Sequence, residues 1–162
     1  MHTKLRNRAK LPAALSTMLL ILSAGLAVAA EHAQPPAAVA ITDAWIRWLP
    51  ANLPAGGYAT LRNTGAASLI LTGASSSAYE DVSLHRTSSH EGMSQMQPVA
   101  QITVAAGASL KFAADGYHIM LEHPTKALQP GDHVPITLHF SDGNSVTAQF
   151  ELRRPDAAGP AP

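Results

Sequence analysis

Two histidines and two methionines, His85, Met96, His118 and Met120, form a donor set with a distinctive spacing. Ten residues lie between His85 and Met96, twenty-one between Met96 and His118, and one between His118 and Met120. Met93 precedes Met96 by three positions, and the other two methionines of the chain, Met1 and Met18, fall in an N-terminal segment of different character. Thioether sulfur and imidazole nitrogen make a soft donor set that suits Cu(I), whereas carboxylate-rich sets suit harder cations. Neutral thioethers hold Cu(I) less tightly than thiolates would, as cargo release requires. They also form no disulfides in an oxidising compartment. The chain has no cysteine, which excludes a blue-copper electron carrier, since that site needs a thiolate.

Each of these residues taken alone has a plainer reading. A single Met is usually a gap-filler in a core, and a single His is usually a solvated or hydrogen-bonded surface residue. The joint pattern carries the inference. Met93 and Met96 sit among Ser, His, Glu, Gly and Gln, which is poor company for core residues. His90 is either an auxiliary ligand or a solvated residue, and Met93 either substitutes for Met96 or shields it. His123, His133 and His139 read as surface or packing residues. Trp45 and Trp48, three positions apart, face opposite ways in a regular strand. Trp45 belongs either to the core or beside the site.

Strands must position these donors. Runs 39–49, 57–63, 68–73, 81–86, 101–104, 109–113, 117–121, 135–140 and 145–152 are β-branched or apolar and often alternate. Asn63-Thr64-Gly65, Ala106-Gly107, Asp115-Gly116, Pro130-Gly131-Asp132 and Asp142-Gly143-Asn144 punctuate them as turns. Many short strands at regular spacing predict an all-β sandwich or barrel. In the run 117–121, His118 and Met120 share one face, roughly 7 Å apart, while Tyr117, Ile119 and Leu121 share the other. Ser83 and His85 share a face of the run 81–86. Residues 87–97 are expected as a polar loop carrying Met96, which makes a shallow site accessible to a partner.

Outside this domain, residues 1–29 read as a secretory signal peptide: Lys4, Arg6, Arg8 and Lys10, then an apolar run to Val28, then Ala27-Val28-Ala29 at the cleavage position. The rival reading is an uncleaved anchor, which requires that Pro12, Ser16, Thr17, Ser23 and Gly25 be tolerated in the span. Residues 30–38 read as a Pro- and Ala-rich flexible lead-in, residues 39–152 as the candidate copper-binding domain, and residues 153–162 as an expected disordered tail. Without cysteine there is no lipid-attachment residue and no disulfide. After cleavage seven Lys and Arg face eleven Asp and Glu, an acidic balance that excludes nucleic acid as a partner. The protein is expected in the periplasm, soluble once the signal is removed. Cleavage after Ala29 would expose Ala30-Glu31-His32. Its amine, two amides and His32 imidazole form a square-planar set suited to Cu(II) as a secondary site; cleavage one residue later destroys it.

The four-ligand spacing resembles the signature of the PCu(A)C family of periplasmic copper chaperones, and the flanking blocks agree. Ala44-Trp45-Ile46-Arg47 resembles the family's opening strand, and Gly57-Tyr58-Ala59-Thr60-Leu61-Arg62-Asn63 its strand and turn. Val82-Ser83-Leu84-His85, Gly92-Met93-Ser94-Gln95-Met96 and Gly116-Tyr117-His118-Ile119-Met120-Leu121 resemble its metal-binding blocks, and the segment from Gly131 to Leu138 its late strand. The resemblance spans about residues 40–152. It implies a cupredoxin-like Greek-key β-sandwich in which His85, Met96, His118 and Met120 hold one Cu(I). It also implies delivery to a copper-accepting protein, a cytochrome c oxidase subunit or assembly factor. Some relatives carry a His- and Met-rich C-terminal extension; the tail after Leu152 contains neither residue.

Three rival classes remain open in the sequence. An enzyme is disfavoured, because neither a Gly-x-Ser-x-Gly elbow nor a His-Glu-x-x-His motif is present. Asp81, Ser83 and His85 would share one strand face, which lacks the geometry of a triad. A copper buffer or resistance protein would use the same ligands as a chaperone. A structural or adhesive sandwich would leave the His and Met residues incidental.

Overall fold

The computed structural model describes residues 38–50, 53–157 and 159. The signal peptide 1–29, the lead-in up to residue 37 and the His32 site for Cu(II) lie outside the described residues.

The described chain is all β. Its strands are β1 (Val39–Arg47), β2 (Ala55–Asn63), β3 (Leu69–Ser76), β4 (Tyr79–His90), β5 (Met93–Pro98), β6 (Ile102–Val104), β7 (Ser109–Phe112), β8 (Tyr117–Pro124), β9 (His133–Phe140) and β10 (Ser145–Arg153). They pair in the order β5-β4-β8-β7-β2-β1-β10-β9-β3-β6, with β2 also bonded to β8. β1 runs parallel to β10, and β7 meets β8 in parallel at Phe112↔Tyr117; the other pairs are antiparallel. β2 therefore neighbours β1, β7 and β8 rather than β3. This order, with β5 and β6 at its two ends, is that of a cupredoxin-like Greek-key β-sandwich.

Alternation explains the core. In β9, Val134, Ile136, Leu138 and Phe140 are buried while the residues between them are partly or fully exposed. A single buried row crosses four strands, Ile46–Gly57–Ile119–Leu84, joined register by register. Ile46 and Ile119 are completely buried. Gly57 is needed in that row because an added Cβ would sit 3.2 Å from both Ile119 and Leu121. Among the described residues one polar residue is fully buried: Asn63. Its amide donates to the carbonyls of Ala67, Val104 and Ala105, and its Oδ1 accepts from Gly65 N–H. What reads in sequence as a turn signal is therefore also a clamp between the β2 exit and β6.

One expectation fails. Residues 87–97 are not a loop. β4 continues to His90, turns in two residues at Glu91-Gly92, and returns as β5 in the register Thr87↔Met96. Glu91 and Gly92 have φ of 50° and 80°, as a type I′ hairpin turn requires, and this turn matches the twist of the flanking strands. The polar composition hid the strand because both faces of the hairpin are solvated. At the other end of the domain, β10 runs one residue past the expected limit at Leu152. Arg153 Nη1 then donates to the carbonyl of Gly159 at 2.8 Å.

Candidate metal centre

The face opposite the buried row gathers the candidate donors. β4 and β8 pair Ser83↔Met120 and His85↔His118. β2 pairs Gly56↔Met120, and β1 pairs Arg47↔Gly56 and Trp45↔Tyr58. All these residues share one side of the sheet because paired residues in adjacent strands face the same way and the strand period is two. β5 then brings Met96 over this face from the hairpin.

His118 is the anchor. It is 5% exposed, one of two buried polar residues among those described. Its Nδ1–H donates to the Gly116 carbonyl at 3.2 Å, since a carbonyl can only accept. With Nδ1 so committed, the neutral form of the ring presents a lone pair at Nε2. That nitrogen lies 3.1 Å from Met96 Sδ. In that form sulfur and nitrogen both offer lone pairs there, an arrangement a shared soft cation satisfies.

His85 stands beside it, ring centroids 5.9 Å apart and planes at 41°. Its Nε2 is 3.1 Å from Ser83 Oγ, and its Nδ1 is buried without a hydrogen-bond partner. Such an orphaned donor atom is costly unless something binds it. Burial, reinforced by the charge of His118 and opposed by Glu122, pushes the His85 imidazole below the usual histidine range. The neutral, ligating form is thus favoured.

Met120 projects from the same face two residues beyond His118. It lines an open pocket of about 220 Å³ with Met96, His118, Thr87, Tyr58 and Arg47. Met96 is 52% exposed although its sulfur meets a buried imidazole, so one side of the donor set is open to solvent. Among the described residues no three His, Cys, Asp or Glu side chains converge.

The other candidates are placed elsewhere. His90 and Met93 pair at the hairpin tip, three register steps beyond Thr87↔Met96, about 10 Å along the strand and on its opposite face. His90 lies 3.9 Å from Glu91 with its side chain 88% exposed. His123 bonds Asp81 at 2.8 Å, which draws that carboxylate away from any Asp81–Ser83–His85 trio. His139 bonds Ser75. Trp45 is resolved to the donor face, with its ring 4.7 Å from that of Tyr58. Trp48 lies beyond the end of β1. Sequence reasoning missed the orienting partners Ser83 and Gly116. Both sit two positions before the histidine they hold, and that spacing could have revealed them.

A family model described as "LpqE-like: Putative lipoprotein LpqE-like" matches residues 39–152. A relative from Leifsonia xyli subsp. xyli (strain CTCB07), "Putative lipoprotein Lxx21020", is 33% identical over 108 residues. That match covers 66% of this chain and 64% of the relative, so the chain spans a little under two thirds of its length. Among solved structures, CuI-DR1885 from Deinococcus radiodurans is 27% identical with a TM-score of 0.56, covering 77% of this chain and 83% of that one. The copper-bound PCuAC domain from PmoF2 is 20% identical with a TM-score of 0.61, covering 75% and 97%; at that identity the likeness is one of fold.

Proposed function

The chain belongs to the LpqE-like family and has the PCuAC fold, and from that premise we propose that it carries Cu(I) as cargo in the cell envelope. His85, Met96, His118 and Met120 hold one ion and pass it to a copper-accepting protein. The observation that carries this reading is the contact of His118 Nε2 with Met96 Sδ at 3.1 Å, with the other ring nitrogen committed to a carbonyl. The copper-bound state named for DR1885 and for the PmoF2 domain supports it.

The chain's own contribution is to hold ring orientations before the ion arrives. Gly116 sets the His118 tautomer. Ser83 engages His85 Nε2 and leaves Nδ1 as the donor. Rings already held by their neighbours lose less ordering entropy on binding, which offsets the weak individual thioether bonds. Release is served by Met96, whose thioether stands on the outermost strand and half in solvent. An incoming ligand can displace it without opening the sandwich. This exposure favours hand-over above sequestration in a buffer. The acceptor we infer is a cytochrome c oxidase subunit or assembly factor.

Export follows from residues 1–29 and from the lipoprotein names of the relatives, and the domain of residues 39–152 works in the periplasm. No enzymatic turnover is assigned to it. His90, Met93 and a Cu(II) site at His32 remain auxiliary at most in this proposal.

The test is an anaerobic Cu(I) titration of the exported chain against a chromophoric chelator, with His118→Ala and Met120→Leu alongside. One tight equivalent, lost in both variants, is expected. Absence of competition, or binding indifferent to both substitutions, refutes the site. A deletion strain with oxidase assembly lost at low copper separates delivery from buffering, which predicts sensitivity to excess copper.

A further inference from the structure

Next to the donor face lies a cluster that the copper site does not use. The Arg47 guanidinium sits over two rings, 5.8 Å from the Trp45 centroid and 5.6 Å from that of Tyr58. Its Nε is buried and has no hydrogen-bond partner. Beneath it is a cavity of about 180 Å³ lined by Trp45, Arg47, Tyr58, Lys111, Phe112 and Gly159 among others. Arg47 also lines the pocket shared by Met96, His118 and Met120, so it forms a wall common to both.

The local charge is strongly positive. Arg153 is the register partner of Arg47 on β10, and Lys111 pairs with Thr60 on the same face of β2. Three of the seven Lys and Arg after residue 29 thus gather here, in a segment that is otherwise acidic. Glu151, the register partner of Trp45 on β10, is already engaged by Arg153. No ion pair involves Arg47 or Lys111 among the described residues. A buried guanidinium donor with no acceptor, fixed in plane by two aromatic faces, is a costly arrangement unless an anion completes it. Cations stacked on aromatic faces are held by the ring quadrupole, which keeps the N–H fork aimed while it waits for a partner.

We propose that the Arg47 cavity recognises an Asp or Glu side chain of the protein that exchanges Cu(I) with this chain. The assignment rests on the Cu(I)-carrier reading above. Charge complementarity selects an acidic group, and the wall shared with the donor pocket places whatever binds here next to Met96 and Met120. A carboxylate seated on Arg47 orients the partner so that its own soft donors approach the exposed side of the site. Planar bidentate recognition of a carboxylate is what an arginine fork does best.

The experiment measures Cu(I) transfer from the loaded full chain to two synthetic acceptor peptides of identical Met and His content, one carrying flanking Asp residues and one Asn. At low salt the Asp peptide is expected to accept copper about tenfold faster from wild type, a modest degree of electrostatic steering. Arg47→Gln should erase that preference, and Arg47→Lys should restore it only in part. A preference that is equal in wild type and Arg47→Gln overturns the proposal. A second arm follows the Arg47 Nε–Hε resonance of the apo chain by NMR while the Asp peptide, its Asn counterpart or inorganic phosphate is added. A saturable shift with the Asp peptide alone supports the proposal. No shift, or a tighter response to phosphate than to peptide, overturns it. The NMR arm needs no copper, so failure of wild type to bind Cu(I) would refute the carrier reading while leaving the anion site separately measured.

Discussion

The sulfur of Met96 and Nε2 of His118 stand 3.1 Å apart across 22 residues of sequence. One lies on the outermost strand and the other is buried in the sheet. This contact joins a solvent-exposed donor to a buried one, and it sets different expectations for the two residues.

Met96→Leu should separate binding from stability. The side chain is 52% exposed, so its loss should change folding free energy by no more than about 0.5 kcal/mol. Cu(I) affinity should fall at least about tenfold, because leucine offers no lone pair. Chelator competition and urea denaturation on the same preparation check both halves.

Gly92 should control the same contact from a distance. It holds φ of +80°, with open space around a would-be Cβ. Gly92→Val therefore meets no clash, only backbone strain of about 1–2 kcal/mol. The hairpin register should loosen, and Cu(I) affinity should drop although no donor has changed. Hydrogen exchange at the β5 amides would rise; unchanged exchange and affinity would show that Met96 is placed by something other than this turn.

Asn63→Ala should be costly for the fold. It removes an amide serving three buried or part-buried carbonyls, each of which costs about 1–3 kcal/mol if left unsatisfied and dry. Urea midpoints should shift well beyond those of surface variants, while Cu(I) stoichiometry of the folded fraction stays at one.

His123 and Asp81 predict a pH signature. The hydrogen bond to Asp81 and the neighbouring carboxylates hold the His123 imidazole above its usual range, against a smaller opposing effect of burial. A raised folded-state value means the pairing contributes fully below pH about 6.5 and fades as pH rises through the folded value. His123 sits at φ of 55°, which asparagine tolerates, so His123→Asn isolates the charge. Its stability deficit in urea should be largest below pH about 6.5 and fade as pH rises above that. A deficit independent of pH would mean the imidazole contributes by packing.

All nine strands expected from alternation are present, since a half-buried strand must alternate wherever one face meets a core. The shared face of His118 and Met120 was legible for the same reason. β5 was not, because a strand solvated on both faces carries no alternation, and only the Glu91-Gly92 turn and its pairing to β4 reveal it. The partners of the histidines, the seat of Trp45 beside Tyr58, and the orphaned Arg47 donor depend on which strands become neighbours. Sequence by itself determined which residues could bind a soft cation and which side of each strand they occupy. Only the tertiary structure decided that four strands align those sides into one face, because pairing across β2, β4, β5 and β8 joins segments that no local preference connects.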